Sequence, residues 1–139
     1  MRYSILMLLA GTSAQAATLT VVVSNFQNET GSVNVAVYSE KETWLKSGQA
    51  MFSQSMKVSE AIREGTVSFE FELEPGEYAA VAHHDDNDNG EMDTSFVGIP
   101  KEPTGASNGE VSRFGPPRYK NAAFPVGKDG LRMPIRLSD

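Results

Sequence analysis

The chain has 139 residues, a formal net charge of −6 and no cysteine. That length suits a single domain with one core, and the acidic balance removes the positive footprint that nucleic acid or an anionic membrane requires. The missing thiols exclude a disulfide scaffold, thiolate metal ligation and a lipid-modified cysteine anchor.

In chain order, the first element is an export signal. Arg2 supplies a positive start, Ile5 to Ala10 is apolar and uncharged, Gly11-Thr12-Ser13 breaks the run, and Ala14-Gln15-Ala16 gives the small-x-small pattern of a cleavage site. The apolar run is far shorter than the roughly 20 residues of a membrane span. A buried helix there would run straight into the strand-like Thr18 to Val23. Residues 1–16 are therefore expected to be a signal peptide and 17–139 one domain, periplasmic or secreted. Losing Arg2 would leave the mature domain more acidic still. No later segment is apolar for long enough to cross a membrane.

Leu19 to Val23 is β-branched and reads as a strand. A turn at Asn28-Glu29-Thr30-Gly31 follows, and Val33, Val35 and Val37 then alternate as a half-buried strand. These two segments are expected to pair antiparallel. Ser39 to Ser47, with Trp44 and Leu45, reads as a short helix or turn covering a sheet edge. Val67, Phe69, Phe71 and Leu73 alternate with Ser68, Glu70 and Glu72, apolar in and polar out. Glu74-Pro75-Gly76-Glu77 is a tight turn. Tyr78 to His84 resumes as a strand whose small Ala79, Ala80 and Ala82 imply something packed closely over it. Leu131 to Leu137 is a terminal strand that Pro134 places at an edge. Many short strands and few helix signals predict an all-β sandwich. Gly98 to Pro117, rich in proline and glycine, is a long loop of the kind that is usually functional. Phe96, Ile99, Phe114 and Phe124 lie where they could pin it.

The sharpest chemical signal is His83-His84-Asp85-Asp86-Asn87-Asp88-Asn89-Gly90-Glu91-Met92-Asp93. Asp85, Asn87 and Asn89 alternate before Gly90, the first part of a calcium-loop pattern. Calcium takes six to eight oxygen ligands; alternate residues in a curling loop turn their oxygens inward, and the glycine allows the closing bend. Glu91 would offer its backbone carbonyl, and Asp93 would reach the ion directly or through water. The acid expected at the twelfth position falls on Phe96, so further oxygens must come from water or from the long loop, with Glu102 a candidate. His84, Asp88 and Glu102 are the side chains expected to support the ligands. The competing reading is an Asx-rich turn that binds nothing, but the acids at Asp85, Asp86, Asp88 and Asp93 repel one another without a cation. A flexible all-oxygen loop favours calcium over magnesium.

His83 and His84 also suggest zinc, copper or acid–base chemistry, yet neighbours on a strand point to opposite faces. Only one can face the loop. Met51, Met56, Met92 and Met133 are too irregularly spaced for a copper site and suit core filling. No phosphate loop or dinucleotide fingerprint is present, and no catalytic residue is assigned. Arg113, Arg118 and Lys120 form a small basic cluster that reads as solvated surface.

Three stretches together carry a family resemblance: Leu73-Glu74-Pro75-Gly76-Glu77-Tyr78, then His84 to Asp93, then Phe96-Val97-Gly98-Ile99-Pro100-Lys101-Glu102. With the Gly31 to Tyr38 strand, Phe114-Gly115-Pro116-Pro117 and Ala122-Ala123-Phe124, the chain resembles a bacterial domain-of-unknown-function family numbered 2141. The resemblance implies a short secreted or periplasmic protein, mostly of Gram-negative bacteria, and no particular activity. The Pro-Gly-x-Tyr turn and strand pattern resemble an immunoglobulin-like or prealbumin-like β-sandwich. The expected function is thus an envelope binding or structural module, a monomer, with a calcium-binding loop and a protein or glycan partner. One rival is a metal-dependent hydrolase built on His83–Asp93. Another is a carrier of a small apolar ligand under the Gly98–Pro117 loop, lined by Phe96, Ile99, Phe114 and Phe124.

Overall fold

The computed structural model of the chain describes residues 16–87, 102–109 and 116–138. Among these residues, eight strands lie in two sheets: β1 (Ala17–Ser24), β2 (Ser32–Tyr38), β3 (Phe52–Lys57), β4 (Thr66–Leu73), β5 (Gly76–Asp85), β6 (Thr104–Ala106), β7 (Phe124–Val126) and β8 (Leu131–Arg136). Two single-turn helices interrupt them, α1 (Val58–Ala61) and α2 (Tyr119–Ala122). The smaller sheet runs β4-β1-β8 and the larger β3-β2-β5-β6, with β7 pairing the start of β5.

The period-two patterns become the two inner faces. Leu19, Val21 and Val23 of β1 point inward with Val67, Phe69, Phe71 and Leu73 of β4 and Met133 and Ile135 of β8. From the other sheet come Val33, Val35 and Val37, with Ala80 and Ala82. Thr18, Thr20, Glu70, Glu72, Arg132 and Arg136 keep the outer face of the smaller sheet polar. A strand that alternates can bury one face only, which is why the register holds.

One expectation is overturned. β1 and β2 do not pair. β1 is the centre of the smaller sheet, antiparallel to β4 and parallel to β8, whereas β2 lies in the larger sheet between β3 and β5. The 25–31 segment crosses between sheets instead of closing a hairpin. β8 is an edge strand, as Pro134 required. The Ser39–Ser47 segment is a run of turns. The two helical turns and strands β3, β6 and β7 had no clear sequence signal.

Two further details seat the functional region. The Glu74-Pro75 turn carries the chain from β4 to β5 in the opposite sheet. Tyr78 Oη donates to the Glu74 carbonyl at 2.5 Å, the arrangement called a tyrosine corner in β-sandwich domains. Its phenol pKa is raised by burial first and by the Glu74 charge second. Beside β5, β6 packs so tightly on β8 that a Cβ on Gly105 would lie 2.6 Å from the Arg136 carbonyl oxygen. Thr104 and Ser138 exchange backbone bonds of 2.9 and 2.8 Å there. β6 is therefore fixed to both sheets.

Candidate functional site

β5 delivers the Asp/Asn loop. Alternation along it sends Tyr78, Ala80, Ala82 and His84 between the sheets and Ala79, Val81, His83 and Asp85 to the other face. The two histidines therefore part. His84 is fully buried, edge-on to Phe26 with ring centroids 5.3 Å apart. Its Nε2 lies 2.8 Å from the Thr30 carbonyl. A carbonyl only accepts, so Nε2 carries the hydrogen, and buried Nδ1 has no partner among the described residues. His83 shares the face of Asp85 and meets Glu102, Nε2 to Oε1, at 2.9 Å.

Asp85 is 1% exposed at the last position of β5, paired with Ser32. Two separate chain segments hold the residues there. From one side comes the 28–31 turn: Asn28 Oδ1 accepts from both the Thr30 amide and the Thr30 hydroxyl, and that hydroxyl reaches the Asp86 carbonyl at 3.1 Å. Gly31, at φ +69°, presses its backbone against Asp85 and Asp86. A Cβ there would sit against the Asp85 carbonyl oxygen and 2.8 Å from the Asp86 Cα. Only a residue without a side chain fits both the angle and the gap. From the other side comes Glu102, 4% exposed, whose Oε2 accepts the Asp86 amide at 3.2 Å. The backbone runs alongside, with the His84 amide donating to the Pro103 carbonyl at 2.9 Å.

Of the predicted ligand residues, Asp85 and Asn87 are thus placed at the end of β5 and in the turn just after it. Asn89, Glu91 and Asp93, with the supporting Asp88, lie outside the described residues. Among the described residues, no group of three or more His, Asp or Glu side chains is gathered to hold a metal ion. Glu102 meets the start of the loop at the Asp86 amide. His84 touches it only through Thr30. The contributions of Thr30 and Gly31 were not legible beyond their being a turn.

The wider chain can be placed as well. A family model described as an uncharacterized protein conserved in bacteria (DUF2141) matches residues 21–133. The chain belongs to that family. No curated protein and no solved structure matches it. The DUF2141 match runs from within β1 to the middle of β8, so it takes in both sheets and the Asp85 corner.

A second corner of this DUF2141 chain lies over the middle of β5. Ser107 is fully buried; its hydroxyl accepts the Ala80 amide at 3.0 Å and donates to the Ala122 carbonyl at 2.6 Å. Asn108, at φ +63°, donates to the Asn121 and Ala123 carbonyls at 3.1 and 2.8 Å. Trp44 stands edge-on between Tyr38 and Tyr119, with centroids 5.2 and 5.9 Å away, and its Nε1 donates to the Pro117 carbonyl at 2.7 Å. Trp44, Tyr119 and Ala122 pack with Ala79, which accounts for the small residue there, while Ala80 and Ala82 face the core between the sheets. The Tyr119 phenol is pushed up to about 12 by burial, then by its hydrogen bond to Glu77, then by the charges of Glu77, Glu40 and Glu42.

One of the four side chains expected to line an apolar ligand cavity falls among the described residues. Phe124 is packed in the core, and Phe96, Ile99 and Phe114 lie outside the described residues. An open cleft of about 460 Å³ lies elsewhere, between Met51, Phe52, Leu73 and Tyr78. No helix among the described residues is long and apolar enough to cross a membrane.

Proposed function

We propose that this protein is an exported, non-enzymatic module of the bacterial envelope whose Asp85–Asp93 loop binds calcium. The observation that carries the reading is the anchoring of Asp85 and Asp86. A carboxylate-rich loop start is clamped by a glycine that tolerates no side chain, by Thr30 and by Glu102. A turn that binds nothing has no need of such fixed geometry, whereas an ion site gains from ligands ordered in advance. Asp85 and Asn87 would ligate with Asn89, the Glu91 carbonyl and Asp93, and water would complete the shell. The ion would order the acidic loop beside a surface that meets a protein or glycan partner.

Export fits the same picture. The two-sheet fold begins at Ala17, so cleavage after Ala16 would remove no strand residue. A loop without an acid at its twelfth position is a weak calcium site, and sites of roughly 10⁻⁴–10⁻³ M belong to extracellular modules. Such a site fills outside the inner membrane and stays empty in the cytosol.

An ion that binds only the folded state raises the melting temperature by mass action. The protein melted in chelator, and again with millimolar calcium, should gain several degrees with calcium. Identical melts in the two conditions would end the calcium reading.

A further inference from the structure

We propose that Glu102 is the positioning residue of the Asp85 corner: its carboxylate sets the direction in which the Asp/Asn loop leaves β5, without being a ligand itself. The proposal rests on the calcium reading above.

The pairing of β5 with β6 ends at His83 opposite Thr104. Carried two residues further, that register sets Glu102 beside Asp85, past the end of the ladder. The chain leaves the sheet at Asp86 and returns at Glu102, so departure and return occur at one point. There the Asp86 amide donates to the Glu102 side chain, through Oε2. The other oxygen takes the His83 Nε2 hydrogen. A carboxylate buried this deeply is costly to remove from water unless its oxygens are hydrogen-bonded. Here one carboxylate grips the strand through His83 and the departing backbone through Asp86. The Asp86 N–H belongs to the peptide joining Asp85 to Asp86, so holding it fixes the direction in which the chain goes on from Asp85 to Asn87. Residues that hold ligands in this way typically change metal affinity about 10–100-fold when removed.

The substitutions Glu102→Gln and Glu102→Ala separate positioning from ligation. Gln keeps an oxygen for the Asp86 amide. Its NH₂ can donate to His83 Nε2 once that ring moves its hydrogen to Nδ1. Geometry survives and charge is lost; Ala loses both bonds. Calcium chloride is titrated into the full chain by calorimetry, and amide exchange at Asp86 is followed without calcium. Gln should stay within about threefold of the parent affinity, while Ala should fall about tenfold or more. Asp86 should exchange faster in the Ala variant alone. Parent affinity in the Ala variant overturns the proposal, and so does an equal loss in both, which would make the charge itself the contribution. If the parent takes up no calcium, the calcium reading fails and the exchange at Asp86 still decides whether Glu102 positions the loop: faster in Ala and unchanged in Gln supports it, unchanged in both overturns it. Should the Ala variant not fold, Glu102→Asp, one methylene too short to span both donors, takes its place with the same outcomes.

Discussion

The returning segment 102–109 is fastened to β5 twice, and the two fastenings use opposite chemistry. Over the middle of β5, Ser107 supplies one neutral hydroxyl that accepts from Ala80 and donates to Ala122. At the end of β5, Glu102 supplies a carboxylate beside the Asp86 amide, on the side of the strand opposite a glycine turn that leaves no room for a methyl group. Ser107 shows that this fold can pin the segment without charge. At the other corner the buried carboxylate of Glu102 does the pinning, with one oxygen on His83 and the other on the Asp86 amide. The contrast is between a neutral fastening and a charged one, and under the proposed function the charged one serves an ion.

Substitutions at the two corners should therefore part company. The largest effect is expected at Gly31. Gly31→Ala forces a side chain into the left-handed region and against the Asp85–Asp86 backbone, and the loss should be about 3 kcal/mol or more. Urea unfolding measures it, and a variant within about 1 kcal/mol of the parent would mean that the close approach is not rigid. Next comes Ser107→Ala. It orphans the buried Ala80 amide and Ala122 carbonyl, at a cost of about 1–3 kcal/mol. Its calcium affinity should be that of the parent, and a parallel loss of affinity would show that the corners are not independent.

The smallest effect is electrostatic. The folded Tyr119 phenol sits near 12, above its ordinary value of 10. Its contribution is complete below pH 10 and is lost as pH rises through about 12, because the folded state then resists an ionisation that the unfolded chain accepts. Tyr38 and Tyr78 shift the same way through burial. Tyr119→Phe should shrink, without abolishing, the fall in melting temperature between pH 10 and 12. A fall as steep as the parent's would place the sensitivity elsewhere.

Much of the fold could be read from local pattern. Val67 to Leu73 and Val33 to Val37 alternate strictly because each strand buries one face, and Pro134 marks an edge because it cannot donate to a neighbour. β3 escaped notice because its inward positions are Phe52, Gln54 and Met56, all only half-buried. The partners of β1 escaped because adjacency in sequence suggested a hairpin, while the actual neighbours, β4 and β8, are distant along the chain. The Asp/Asn loop declared itself through residue type and spacing. Its clamps did not: Thr30, Gly31 and Glu102 reach it only once two remote segments fold beside it, and nothing local distinguishes them from an ordinary turn and a surface acid. Likewise, alternation said that the two histidines would part, but only the structure shows that His83 is the one that meets Glu102.

The central claim is that the corner of β5 is an ion site. Direct calorimetric titration of calcium into the protein tests it, with magnesium as the control. The protein should show one saturable site with a dissociation constant on the order of 10⁻⁴–10⁻³ M for calcium and weaker binding of magnesium. No saturable heat with calcium across that range, or magnesium bound as tightly as calcium, would contradict it.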